Sequence, residues 1–127
     1  MKFKRNMKHP SYETETKLPL ASFRRVGKTI YLSGQGAVAP DGSYVCEDFE
    51  GQFRYTMERL KDALAEAGAT LADVVSVRSY VQNESDLPAY NQLYREFFTV
   101  PFPARTTITS CLPTGLLFEI DAIAATQ

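Results

Sequence analysis

Between Glu50 and Ala67 the apolar residues Phe53, Met57, Leu60, Leu64 and Ala67 follow one another at alternating steps of four and three. That spacing lays them along one stripe of a helix, and Gly68 stands where a left-handed C-terminal cap belongs. A second stripe, Leu87, Tyr90, Tyr94, Phe97 and Phe98, follows Asp86 as a capping residue, with Pro88 in the first turn. Pro101-Phe102-Pro103 ends it, because a residue that precedes proline is pushed out of helical backbone. The rest of the regular pattern is strand. Ala21 to Arg25 and Lys28 to Ser33 flank a Val26-Gly27 bend as a short hairpin, and Pro40-Asp41-Gly42-Ser43 turns the chain before a possible strand at Tyr44 and Val45. Val74 to Val81 is rich in β-branched residues, with Val75, Val77 and Ser79 alternating against Val74, Ser76 and Arg78. Arg105 to Ser110 and Leu116 to Ala125 are the last two strands.

Two helices with one apolar stripe each need a shared surface to cover them. The order β-β-(β)-α-β-α-β-β therefore predicts an α+β fold, a mixed sheet with both helices on one face. The strands, however, carry apolar residues on both parities, as in Val74 and Val75, or Phe118 and Ile120 against Leu117 and Ile123. A second apolar face without a helical layer predicts self-association. At 127 residues the chain reads as one domain, residues 1–127, with 1–17 as a solvated arm carrying Lys2, Lys4, Arg5, Lys8 and His9.

Composition removes several classes of function. With 14 Lys and Arg against 15 Asp and Glu, the formal net charge is −1, which builds no basic field for nucleic acid. The arm lacks an apolar core of signal-peptide length and no apolar run approaches a membrane span, so a soluble, cytoplasmic protein is expected. Cys46 and Cys111 have no metal or redox spacing and read as reduced thiols. His9 is the one histidine, outside every motif, so neither a histidine triad nor a histidine-ligated metal is expected.

The chemistry concentrates in the last quarter. Alternation places Arg105, Thr107 and Thr109 on one strand face, and Glu119 and Asp121 together on another strand. If the Leu112-Pro113-Thr114-Gly115 turn folds these strands into a hairpin with Thr107 opposite Glu119, Arg105 faces Asp121 and the polar residues converge. A guanidinium matches a carboxylate bidentately, and a neighbouring glutamate can take a proton from water. Two acids side by side can also hold one carboxyl above its ordinary range. The same residues also read as a common cross-strand Arg/Glu surface pair.

Four motifs in order carry a resemblance: Val26-Gly27-Lys28-Thr29-Ile30-Tyr31-Leu32-Ser33-Gly34-Gln35, Tyr90-Asn91-Gln92-Leu93-Tyr94-Arg95-Glu96-Phe97-Phe98, Phe102-Pro103-Ala104-Arg105-Thr106-Thr107, and Phe118-Glu119-Ile120-Asp121-Ala122-Ile123-Ala124. From about Pro19 to Ala124 the chain resembles the Rid (YjgF) family of enamine and imine deaminases. The resemblance implies a chorismate-mutase-like subunit, a homotrimer with clefts between subunits, and cofactor-free hydrolysis of reactive 2-imino acids to 2-keto acids and ammonia. It implies Arg105 as the carboxylate clamp and Glu119 as the residue that holds or activates water. At Gly34 it brings bare backbone to the substrate carboxylate. Ser33-Gly34-Gln35-Gly36 by itself lacks the Lys-Ser/Thr of a phosphate loop and reads as a strand-end bulge. Asn91 reads either as a hydrogen-bonding cleft residue or as a solvated one.

Two departures bear on the pocket. Leu18-Pro19-Leu20 stands where the family commonly has Gly-Pro-Tyr, and Thr107 where the deaminase archetype has cysteine. Leu20 offers only apolar surface in place of a phenol, so imines with apolar side chains are expected to be preferred over the alanine-derived imine. A non-catalytic trimer that binds small 2-keto acids is the alternative reading. The ribonuclease label borne by some relatives fits poorly with the charge and with the lack of a histidine pair.

Overall fold

The computed structural model describes residues 18–127, so the expected arm lies outside the described residues. Strands β1 (Phe23–Val26) and β2 (Thr29–Gly36) form the expected hairpin, with Val26 opposite Thr29. Gly27 makes the bend at φ 61°, a conformation open to a residue without Cβ at little steric cost. At Tyr44 the possible third strand amounts to an isolated bridge with Val38.

Helix α1 runs from Phe49 to Glu66, with Asp48 accepting a hydrogen bond from the Gly51 N–H at its start and Gly68 at φ 84° just beyond its end. Phe53, Met57, Leu60 and Leu64 are fully buried, as the stripe requires. Strand β3 is Val74–Val81 and helix α2 is Leu87–Phe97. Asp86 holds the cap position of α2, but its side chain makes no capping bond. Strands β4 (Ala104–Thr109) and β5 (Phe118–Ala125) complete the fold.

The five strands lie in the order β1-β2-β5-β3-β4, with β3 and β4 parallel and the other pairs antiparallel. The two helices cover one face. Between them, Phe53 packs its ring 4.7 Å from that of Phe118 and 6.2 Å from that of Tyr90, joining helix to sheet and helix to helix. The other face leaves Tyr31, Val75 and Ile108 exposed beside half-buried Ile123. Val75 reaches that face because a bulge between Val74 and Ser76 breaks the expected alternation, which had grouped it with Val77 and Ser79.

β4 and β5 do not form the expected hairpin, because β3 lies between them. Arg105 stands opposite Val77 and Thr107 opposite Ser79, while Glu119 is flanked by Tyr80 and Gly36 and Asp121 stands opposite Arg78. The turn exists, with Gly115 at φ 95° and Leu116 N–H donating to the Pro113 carbonyl, but its segment crosses the end of β3. Gln82 holds that crossing. Its carbonyl accepts from Ser110 N–H, its N–H donates to the Leu117 carbonyl, and its Oε1 accepts from Leu112 N–H at 2.7 Å. Gln52 of α1, only 1% exposed, secures the far end by donating to the Gly115 carbonyl and accepting from Leu117 N–H. Val77 and Val81 of β3 are almost fully buried, and a central place pairs both backbone edges of that strand, which an edge position would leave half unpaired.

Candidate functional site

The register separates the two expected site residues onto opposite faces of the sheet. Arg105 shares the helix-covered face with Val77, while Glu119 lies between the buried Phe118 and Ile120 and so points to the bare face. The convergence of Arg105 with Asp121 expected from a hairpin is therefore not found.

On the covered side, the Arg105 guanidinium stacks 4.9 Å from the centre of the Tyr90 ring and 4.8 Å from that of Tyr94. The rings stand one helical turn apart on α2, so a single face of the helix makes a platform for the cation. A cleft of about 400 Å³ opens there, lined by Asn91, Tyr94, Arg95, Phe102, Pro103 and Arg105. Asn91 thus joins Arg105 in one cleft. Tyr94 is 4% exposed, and its hydroxyl is buried without a hydrogen-bond partner among the described residues. Burial, with a smaller contribution from Tyr90, pushes its phenol up to about 12 against the opposing pull of Arg105. Tyr94 therefore remains protonated at neutral pH. Its neighbour Tyr90 donates instead to Ser79 at 2.6 Å, which ties the platform to β3 beside Thr107.

On the bare side, the Glu119 carboxylate lies over the backbone of Gly34. A Cβ built at Gly34 would meet Glu119 Oε2 and stand 3.3 Å from its Cδ, so a side chain there would push the carboxylate aside. The expected bulge is present at the same place, where the pairing of β2 with β5 shifts register between Leu32 and Gln35. Burial, and secondarily the charge of Asp121, raises the Glu119 carboxyl above its ordinary value. Asp121 itself is held by Arg78 Nε and by the Tyr80 hydroxyl, each donating at 3.0 Å. Leu20 is half exposed and precedes Ala21, whose carbonyl accepts from the Ser33 hydroxyl, which places it near the Gly34 end of β2 and outside the Arg105 cleft.

Sequence reasoning grouped Tyr90 and Tyr94 with the core and missed them as the support of Arg105. Their four-residue spacing ahead of an arginine-bearing strand was the available signal. It assigned no role to Arg78, Tyr80 or Arg95, which only the strand order and the helix orientation bring to these places. Among the described residues no group of side chains could hold a metal ion, and no helix is long and apolar enough to cross a membrane.

The chain has the fold of YjgF/L-PSP chains. It is similar to Escherichia coli TdcF with bound serine at a TM-score of 0.78 and 26% identity, over 88% of this chain and 91% of that one. Residues 14–126 match the Endoribonuclease L-PSP family, and the chain belongs to this YjgF/Rid family. A RutC family protein of Pyrococcus abyssi is 37% identical over 108 residues, 84% of this chain and 85% of that protein. A 2-iminobutanoate/2-iminopropanoate deaminase of Dermatophagoides farinae is 33% identical over 111 residues, 86% of this chain and 87% of that protein.

Proposed function

We propose that the protein hydrolyses reactive 2-imino acids to 2-keto acids and ammonia, in clefts shared between copies of the chain in a homotrimer. The observation that carries this reading is an arginine on an aromatic platform, opening into a cleft with no acid among its described lining residues, in a chain related to an imine deaminase. Arg105 clamps the substrate carboxylate with two parallel N–H donors, and Asn91 orients the ligand beside it. Thr107, two residues along the same strand face, borders the clamp.

Glu119 of a neighbouring copy supplies the base. Its position on the face opposite Arg105 argues against the two acting within one chain, and the exposed Tyr31, Val75 and Ile108 offer an apolar surface for the copies to cover. Glu119 takes a proton from water as the oxygen adds to the imine carbon and the C=N pair moves to nitrogen. Glu119 returns that proton to the nitrogen, and the adduct's hydroxyl then gives up its remaining proton, carried to the nitrogen by the same carboxylate, as the C=O forms, C–N breaks and ammonia leaves. Gly34 and Leu20 line the part of the cleft around that base. The raised Glu119 carboxyl supports this role, since a stronger base takes the proton more readily.

The test is ammonia release from an imine made in situ by an amino-acid oxidase. Arg105→Ala is expected to lower it by roughly 10²- to 10⁴-fold, the worth of two charge-assisted hydrogen bonds, with the fold intact by circular dichroism. Arg105→Lys should recover little, because an ammonium lacks the planar fork. Wild-type turnover in the Ala variant would remove the clamp. The serine bound to TdcF supports a second reading, a binder of small carboxylates without turnover. Under that reading the wild type binds 2-keto acids and releases no ammonia from any imine.

A further inference from the structure

The Arg105 cleft has a second cation in its wall. Arg95 lines it from the last turn of α2, one residue after the tyrosine on which Arg105 stacks. The polar contact of Arg95 is a long one, 3.5 Å to the Asn91 carbonyl one turn back on its own helix. The acid beside it in sequence, Glu96, is engaged by Arg54 at 3.0 Å, and Arg54 is also bound by Glu50. Among the described residues neither Arg95 nor Arg105 forms an ion pair, and no acid lines the cleft. Within one chain of net charge −1, two guanidiniums around one concavity are thus left without an acid of their own, and the Glu119 of a neighbouring copy adds a single charge against the two.

From this pairing of Arg95 with Arg105 in one cleft to which the chain's own described residues contribute no acid, we infer that the site selects substrates with two acidic groups, 2-imino or 2-keto acids that carry a second carboxylate on the side chain. The inference rests on the proposed clamp at Arg105. One carboxylate, on the reacting carbon's neighbour, takes the Arg105 fork, and the distal carboxylate takes Arg95. The aromatic wall of Tyr94 and Phe102 packs the methylenes between them. A monocarboxylate of the same length leaves Arg95 to water.

The test compares 2-oxoglutarate with 2-oxopentanoate, which has the same number of chain carbons and lacks the distal carboxylate, by calorimetry on the full chain at low and at raised salt. The diacid is expected to bind about tenfold more tightly or better at low salt, the scale of one charge-assisted contact, with the gap narrowing as salt screens the exposed Arg95. Arg95→Gln should cost the diacid about tenfold and the monoacid far less, closing most of the gap between them. Equal binding of the two acids by the wild type, or a gap that survives undiminished in Arg95→Gln, overturns the inference and leaves the clamp at Arg105 standing. Binding of neither acid overturns both.

Discussion

The two faces of the sheet prepare their functional groups in different ways. On the covered face, Arg105 is an exposed cation whose position is set by stacking on Tyr90 and Tyr94, side chains that are themselves almost wholly buried. On the bare face, Glu119 is an acid whose position is set by the absence of a side chain at Gly34 and whose proton affinity is raised by burial. The first half is finished within one chain, with its own cleft. The second lies on a surface where Tyr31 remains 50% and Val75 49% exposed, an area that folding of a single copy leaves unused. Half of the site thus belongs to a tertiary structure and half, under the proposed function, to an assembly.

The largest effect should come from separating the halves deliberately. Arg105→Ala and Glu119→Gln proteins are each expected to lose turnover by about 10²- to 10⁴-fold, while the Glu119 variant keeps its affinity for 2-keto acids. Unfolded together and reassembled, the two should recover part of the wild-type ammonia release, because some clefts then receive an intact Arg105 from one copy and an intact Glu119 from another. Mixed oligomers, verified by mass, that show no recovery would break the division between the faces. Light scattering that returns the mass of one 14.2 kDa chain in dilute neutral buffer would break it more simply.

A smaller effect is expected from pH. With its carboxyl held above the ordinary range, Glu119 should give turnover an acid limb at a higher pH than an unperturbed glutamate would. Asp121→Asn removes the secondary cause and leaves burial, so the limb should move down without reaching the unperturbed position. The sign for stability follows the same shift. The folded state holds this proton more tightly than the unfolded state, so stability declines as pH rises from the ordinary carboxylate range through the folded value, and Glu119→Gln should flatten that decline. An acid limb indifferent to Asp121→Asn would disconnect the two acids.

The smallest effect is expected at Leu20. If this residue borders the Glu119 half from a neighbouring copy, the imine derived from leucine should be hydrolysed about tenfold faster than that from alanine, and Leu20→Tyr should narrow the ratio. A fastest rate on the alanine-derived imine would show that Leu20 does not shape the pocket.

How legible each feature was depended on the range of the interaction behind it. The stripe from Phe53 to Leu64, the Val26-Gly27 bend, the Gly68 helix end and the bulge at Ser33-Gly34 all rest on contacts or backbone conformations within a few residues, and each is found where the local pattern places it. The strand order is another matter. Nothing local distinguishes a chain that turns back at Gly115 from one that crosses β3 there, because that choice is made by Gln82 and Gln52, 33 and 63 residues away in sequence. Arg105 and Glu119 were identifiable by type and by resemblance, whereas the tyrosine platform and the Arg78-Asp121-Tyr80 contacts require knowing which strands and helices are neighbours.

By itself, then, the sequence determined the elements and the α+β class, since a helix with one apolar stripe and a strand with two apolar parities leave few ways of removing that surface from water. Only the tertiary structure decided which face each functional side chain takes. A strand's side-chain parity is intrinsic, but the side of the sheet to which that parity points is set by pairing. In this protein the insertion of β3 between β4 and β5, fixed by long-range hydrogen bonds and by burial of Val77 and Val81, put Arg105 under the helices and Glu119 on the face they leave bare.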